Sequence, residues 1–128
     1  MPHDKLLVLC HPRCSTCKRA LVWLDAHGIA YACRDISRDN PTADELATWQ
    51  AASGLPVRRL FNTSGRLYRE QNVKAQLDAG MSDEDALALL ATDGMMVRRP
   101  LVVGTRADGT PFVLVGFREA PWSEALLS

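Results

Sequence analysis

The stretch KLLVLCHPRCSTCKRALVWLDAHGIAYACRDI, Lys5 to Ile36, decides the fold. Lys5 to Cys10 is a short continuous apolar run, which reads as a buried strand. Pro12 ends it, because proline cannot donate to a sheet ladder. Beyond the cysteines, Ala20, Trp23, Leu24 and His27 fall at i, i+3, i+4 and i+7, and Leu21 widens the stripe. One helical face is therefore apolar. Gly28 is a natural helix stop. Ile29, Tyr31 and Cys33 then alternate in strand fashion, which turns Cys33 inward and makes it structural. Strand, cysteine loop, helix and strand make a βαβ unit whose crossover is long enough for a parallel pair.

The middle of the chain reads as helical. Thr42 followed by Glu45 is a capping box, Leu46 and Trp49 share a face, and Gly54 closes that helix. LPVRRLFNTSG reads as a helical turn ending in a loop at residues 62–65. NVKAQLDAG reads as a two-turn helix with Val73 and Leu77 inward. In MSDEDALALLATDG, Ser82 caps, acidic residues fill the first turn, Leu87 and Leu90 face in, and Gly94 stops the helix. The period then changes. A strand at Leu101 to Val103, a turn at Asp108-Gly109 and a returning strand in FVLVG form an antiparallel pair. A short helix with Pro121 in its first turn ends the chain. The expected fold class is α/β: a thioredoxin-like plan with a four-stranded mixed sheet. Residues 1–128 form one domain, with a helical insertion at about 42–94.

Composition narrows the function. The chain has 128 residues, 47% of them apolar and 23% charged, and fifteen basic residues balance fifteen acidic ones. A neutral chain has no general pull toward nucleic acid or anionic membrane. No run of about 18 apolar residues spans a bilayer. Met1 to Leu7 lacks a signal peptide's apolar region and cleavage site, so the expected location is cytoplasmic.

Cys14 and Cys17 form a CxxC, open to three readings: a zinc site, a structural disulfide or a redox centre. Cytosolic thiols rest reduced, and disulfides there are transient and catalytic. Structural zinc needs four ligands, usually as two close pairs. Cys10 and His11 precede the motif too closely for a second pair, Cys33 is alone, and His3 and His27 lack partner spacing. A redox CxxC between a strand and a helix remains. No nucleotide loop or haem motif is visible, so no bound cofactor is expected. Trp23, Trp49 and Met95 suit core packing, and Arg58-Arg59 suits a solvated face.

CSTCKRALVWLDAHGI, NPTADELATW, GMMVRRPLVV and VLVGFREAPW, in that order and spacing, resemble blocks of the ArsC/Spx family, a branch of the thioredoxin superfamily. The resemblance runs from Leu6 to Trp122, and a CxxC followed about 80 residues later by an RRP block is its specific mark. The family contains arsenate reductases, Spx-type redox-sensing regulators that bind the RNA polymerase alpha subunit, and other thiol reductases. The resemblance implies that Cys14 is the nucleophile. Its helix-start position, beside Arg13, Lys18 and Arg19, predicts a thiol pKa below the usual value. The amides of Ser15, Thr16 and Cys17 can cradle a tetrahedral oxyanion such as arsenate.

Cys17, one turn on, can resolve an adduct on Cys14 by closing a disulfide. Glutathione-coupled arsenate reductases usually lack a cysteine there and use external glutathione; a cysteine is the Spx-like pattern. Thioredoxin or glutaredoxin is the expected electron donor. The resemblance also implies a cis Arg99–Pro100 bond, which presents Arg99 to the oxyanion. The family's two further arginines are not plainly matched. One falls on Asn62, with Arg58, Arg59 or Arg66 as substitutes, and the other on Phe117 or Arg118. The family's histidine four residues before the nucleophile is Cys10 here, with His11 next to it. Cys10 reads as a strand-end core residue, with resolving thiol as the alternative. A glycine of the insertion contributes to the polymerase interface in the regulators; Gly54 is a candidate match but is better explained as a helix C-cap.

Overall fold

The computed structural model describes residues 6–127. The start of the first strand at Lys5, the N-terminal segment and His3 therefore lie outside the described residues. The chain divides into two compact units, residues 36–98 and the remainder.

The unit built from the two ends of the chain contains the sheet. Strand β1 (Leu6–Cys10) is the apolar run, with Leu6, Val8 and Leu9 fully buried. Helix α1 (Ser15–Ala26) carries the chain across, and β2 (Tyr31–Asp35) returns parallel to β1. After the other unit come β3 (Leu101–Thr105) and β4 (Pro111–Val115), an antiparallel pair, with β3 also antiparallel to β1. The order β2-β1-β3-β4 makes a mixed sheet, and the fold is thioredoxin-like. Gly109 takes the positive φ of 88° that the β3–β4 turn needs. Helix α6 (Glu119–Leu127) closes the unit, and its Trp122 donates Nε1–H to the Gly116 carbonyl at 3.0 Å.

The apolar face of α1 is as its period predicts: Ala20, Trp23 and Leu24 are buried with Val8, Val102, Phe112 and Trp122. Two expectations fail at its edges. His27, counted on the apolar face, is exposed and caps the helix C-terminus, its ring packed on Trp23 at 4.2 Å. Cys33 is exposed, because β2 is the sheet edge.

The unit of residues 36–98 is helical. Helix α2 (Ala43–Ser53) starts at the predicted capping box: Thr42 Oγ1 accepts from Glu45 N–H at 3.1 Å, and Glu45 Oε1 accepts from Thr42 N–H at 3.0 Å. Gly54 ends it with φ 69°. A 3₁₀ turn (Val57–Leu60) follows, then α3 (Arg66–Glu70), which the sequence reading missed, and α4 (Val73–Asp78). Arg58 and Arg59 are exposed, and Arg58 pairs with Asp78. Helix α5 (Asp83–Leu90), capped by Ser82, packs on α2. It ends at Leu90, so Gly94 does not stop it. Gly94 instead opens a 3₁₀ turn (Gly94–Met96), and the Ile36 carbonyl occupies the place a Cβ would take. No helix among the described residues is long and apolar enough to cross a membrane.

Candidate active site

Cys14 is the N-cap of α1, so its side chain faces the first turn of a helix whose amide ends are unpaired. Its sulfur accepts the N–H of Cys17 at 3.3 Å and a hydrogen bond from the Arg99 side chain. Arg99 arrives from the return crossing into the sheet unit, and the Arg99–Pro100 bond is cis, as expected. Cys14 is half-buried and packs against the apolar cluster that contains Cys17.

Cys17 is buried, at 1% exposure. Its sulfur accepts hydrogen bonds from the thiols of Cys10 and Cys14 and from the His11 backbone N–H, with the Arg99 charge nearby. The Cys10 thiol is its foremost support, and together these hold the Cys17 thiol down to about 6. The predicted low value at Cys14 is therefore corrected. Burial raises Cys14 first and the Cys17 sulfur raises it further, while the Cys17 amide and Arg99 pull it back. Cys10 is pushed up, foremost because its proton is held by the Cys17 sulfur and then by burial. The charge of this connected set rests on the thiol with the most donors.

The other expected ligands are more dispersed. Ser15 and Thr16 open the first turn of α1, and Thr16 Oγ1 accepts from Arg19 at 3.3 Å. The cradle is one amide short of the expected three, because Cys17 N–H is spent on Cys14. Arg13 is exposed, and its N–H donates to His11 Nδ1 at 3.3 Å. Arg118 is exposed just before α6, and its carbonyl accepts from Trp122 N–H at 3.2 Å. Its neighbour Phe117 packs edge-on against Trp122 and Trp23. Asn62 belongs to the helical unit, where its N–H donates to the Met96 carbonyl at 2.8 Å and its Oδ1 accepts from Ser64.

Cys10 and His11 are the site residues that the reading undervalued. The sequence placed both beside the loop, but not with the Cys10 thiol and His11 amide directed at Cys17. A cavity of about 330 Å³ is lined by Cys10, His11, Cys17, Leu21, Cys33 and Arg34, among others. The four cysteines are free thiols. Among the described residues, no group of three or more His, Cys, Asp or Glu is placed to hold a metal ion.

Comparison with known proteins gives the family. The ArsC family profile matches residues 9–125. A crystal structure of an ArsC family related protein from Bacteroides fragilis is 47% identical with a TM-score of 0.86, covering 94% of this chain and 97% of that one. The protein YusI of Bacillus subtilis is 41% identical, over 89% of this chain and 92% of its own. The global transcriptional regulator Spx of Staphylococcus saprophyticus is 26% identical over 72% of this chain and 68% of its own. The arsenate reductase structure from Vibrio cholerae is 25% identical with a TM-score of 0.75, covering 96% of each chain. With its family profile matched across nearly its full length, the chain belongs to the ArsC family.

Proposed function

We propose that the protein is a thiol oxidoreductase that reduces arsenate to arsenite. The observation that carries this reading is Cys14 at the start of α1, its sulfur held between the Cys17 amide and the Arg99 side chain. Those are the donors an attacking thiolate and an oxyanion both need. In the resting pair the charge rests on Cys17 and the proton on Cys14. Transfer of that proton along their hydrogen bond makes Cys14 the thiolate.

The Cys14 thiolate attacks arsenic(V), and an arsenate hydroxyl leaves as water, taking the proton from Cys17 and restoring the Cys17 thiolate. The Cys17 thiolate then attacks the Cys14 sulfur. The Cys14–Cys17 bond forms, the sulfur–arsenic pair stays on arsenic, and arsenite departs as arsenic(III). Two thiols lose the two electrons that arsenic gains. An external dithiol of the thioredoxin class reduces the disulfide. Alternatively, glutathione attacks first and glutaredoxin resolves the mixed disulfide. Arg99, with the Ser15 and Thr16 amides, binds the oxyanion; Arg13 and Arg118 supply positive potential, and Asn62 stands where the family has an arginine. The domain works as a single ArsC-type unit.

A coupled arsenate reduction assay, run with each donor system separately, tests this. Cys14→Ser is expected to be inactive with both donors. Cys17→Ser is expected to lose thioredoxin-linked turnover and keep glutaredoxin-linked turnover. Absence of arsenate turnover with either donor would refute the reading. The likeness to Spx supports a second reading, a redox-sensing regulator that binds the RNA polymerase alpha subunit. That reading predicts oxidation-dependent polymerase affinity without turnover. Reduction of another thiol substrate at the same cysteines is the remaining alternative.

A further inference from the structure

Cys10 is a buried thiol that the scheme above leaves without a chemical role. It ends β1 at 8% exposure, in the same apolar cluster as Cys17. Cys17 sulfur therefore has two thiol neighbours, Cys14 and Cys10. The cavity beside α1 opens on Cys10 and Cys17.

We propose that Cys10 is a third redox thiol that acts after Cys17, taking over the disulfide and holding it as Cys10–Cys17 while Cys14 returns to the thiol. The Cys10 sulfur attacks the Cys17 sulfur of the Cys14–Cys17 disulfide. The Cys10–Cys17 bond forms as the Cys14–Cys17 bond breaks. The bonding pair leaves on Cys14, which takes up the proton that Cys10 gives up. One thiol and one disulfide stand on each side, so the exchange consumes no oxidant or reductant. It rests on the Cys14–Cys17 disulfide of the reading above, though not on arsenate as substrate.

The cluster gates this exchange by its redox state. While Cys17 is reduced, its sulfur holds the Cys10 proton, the foremost cause of Cys10's inertness. Once Cys17 is in a disulfide it carries no charge, and that hold is gone. Cys10 is then freed at the stage when an attacking thiol is useful.

Cys33 lines the same cavity and its sulfur accepts from the Cys10 thiol, but its backbone spacing keeps it outside the exchange. Cys10 stands opposite Asp35 in the parallel register, and Cys33 stands opposite Val8. Two residues along the strand and one strand across separate their α-carbons by about 8 Å. Disulfides span about 4.4–6.8 Å.

Peptide mapping tests the proposal. Trypsin cuts after Lys5, Arg13, Lys18, Arg19 and Arg34. Cys10 then lies on the peptide Leu6–Arg13, Cys14 and Cys17 share Cys14–Lys18, and Cys33 lies on Ala20–Arg34. The reduced full-length protein is oxidised with limiting diamide, alkylated with iodoacetamide and digested. Two products are expected. One is Cys14–Lys18 closed on itself. The other is Leu6–Arg13 joined to Cys14–Lys18 through Cys17, with Cys14 alkylated. In Cys10→Ser the joined product is lost and the closed one remains. Finding only the closed peptide in the wild type would overturn the proposal and leave the Cys14–Cys17 reading intact. A joined product linked through Cys14, or through the Cys33 peptide, would also overturn it. Recovery of neither disulfide would overturn both.

Discussion

Replacing Cys17 by serine removes the sulfur on which the charge of the thiol cluster rests. In the folded protein that thiol is held down to about 6, against an ordinary 9.0. Near pH 7.5 it is therefore about 97% ionised, where an ordinary thiol is about 3% ionised. The folded value lies below the unfolded one, so between about pH 6 and 9 the unfolded chain binds the extra proton. Stability from this group consequently rises with pH through that window and is lost as the pH falls through 6. Each unit of pH is worth about 1.4 kcal/mol within it, so the group contributes about 2 kcal/mol near pH 7.5. Most of this is gained between pH 6 and 7.5. Two measurements on reduced protein check it. Thiolate absorbance should show one step near pH 6 that Cys17→Ser lacks. Urea unfolding should show wild type gaining roughly 1–2 kcal/mol relative to Cys17→Ser over the same interval. Subtracting the variant cancels the titration of the shared groups outside the thiol cluster, since Cys10 and Cys14 themselves respond to Cys17. A step near 6 that survives in Cys17→Ser, or parallel stability profiles, would refute the assignment of the charge to Cys17.

Arg99→Lys keeps the positive charge but loses the planar fork, so arsenate turnover is expected to fall about 10²-fold while the protein remains folded by circular dichroism. Gly94→Ala is expected to cost about 1–3 kcal/mol in urea unfolding, because the new methyl meets the Ile36 carbonyl and the backbone must move. Thr42→Ala removes both the hydroxyl acceptor and the geometry of the capping box, and about 1 kcal/mol of loss is expected by the same measurement.

The parts of the fold legible in the sequence are those whose cause is local. The α1 stripe, the Thr42–Glu45 box and the Asp108-Gly109 turn each depend on residues a few positions apart, and each is observed. The misread parts depend on distant neighbours. Alternation along residues 29–33 predicts a strand and an inward Cys33 but does not say that the strand is an edge, where Cys33 is exposed. Gly94 resembled a helix stop, but its requirement is a carbonyl 58 positions away in sequence, at Ile36. At five residues, α3 is too short to establish a period. The same divide runs through the candidate site. CxxC spacing announces a redox pair, yet which sulfur carries the charge depends on Cys10, and that contact spans the turn between β1 and α1.

Arg99 is separated from Cys14 by 85 positions (99 − 14), so the cysteine loop and its guanidinium leave the ribosome far apart in time. At about 5–20 residues per second the interval is roughly 4–17 s. During it the thiols are already synthesised but lack the cation that pulls the Cys14 thiol down and helps hold Cys17 ionised. The nascent chain thus carries a less ionised Cys17 than the finished protein. The Cys17 thiolate is completed only when β3 docks beside β1, in a thiol that folding also buries.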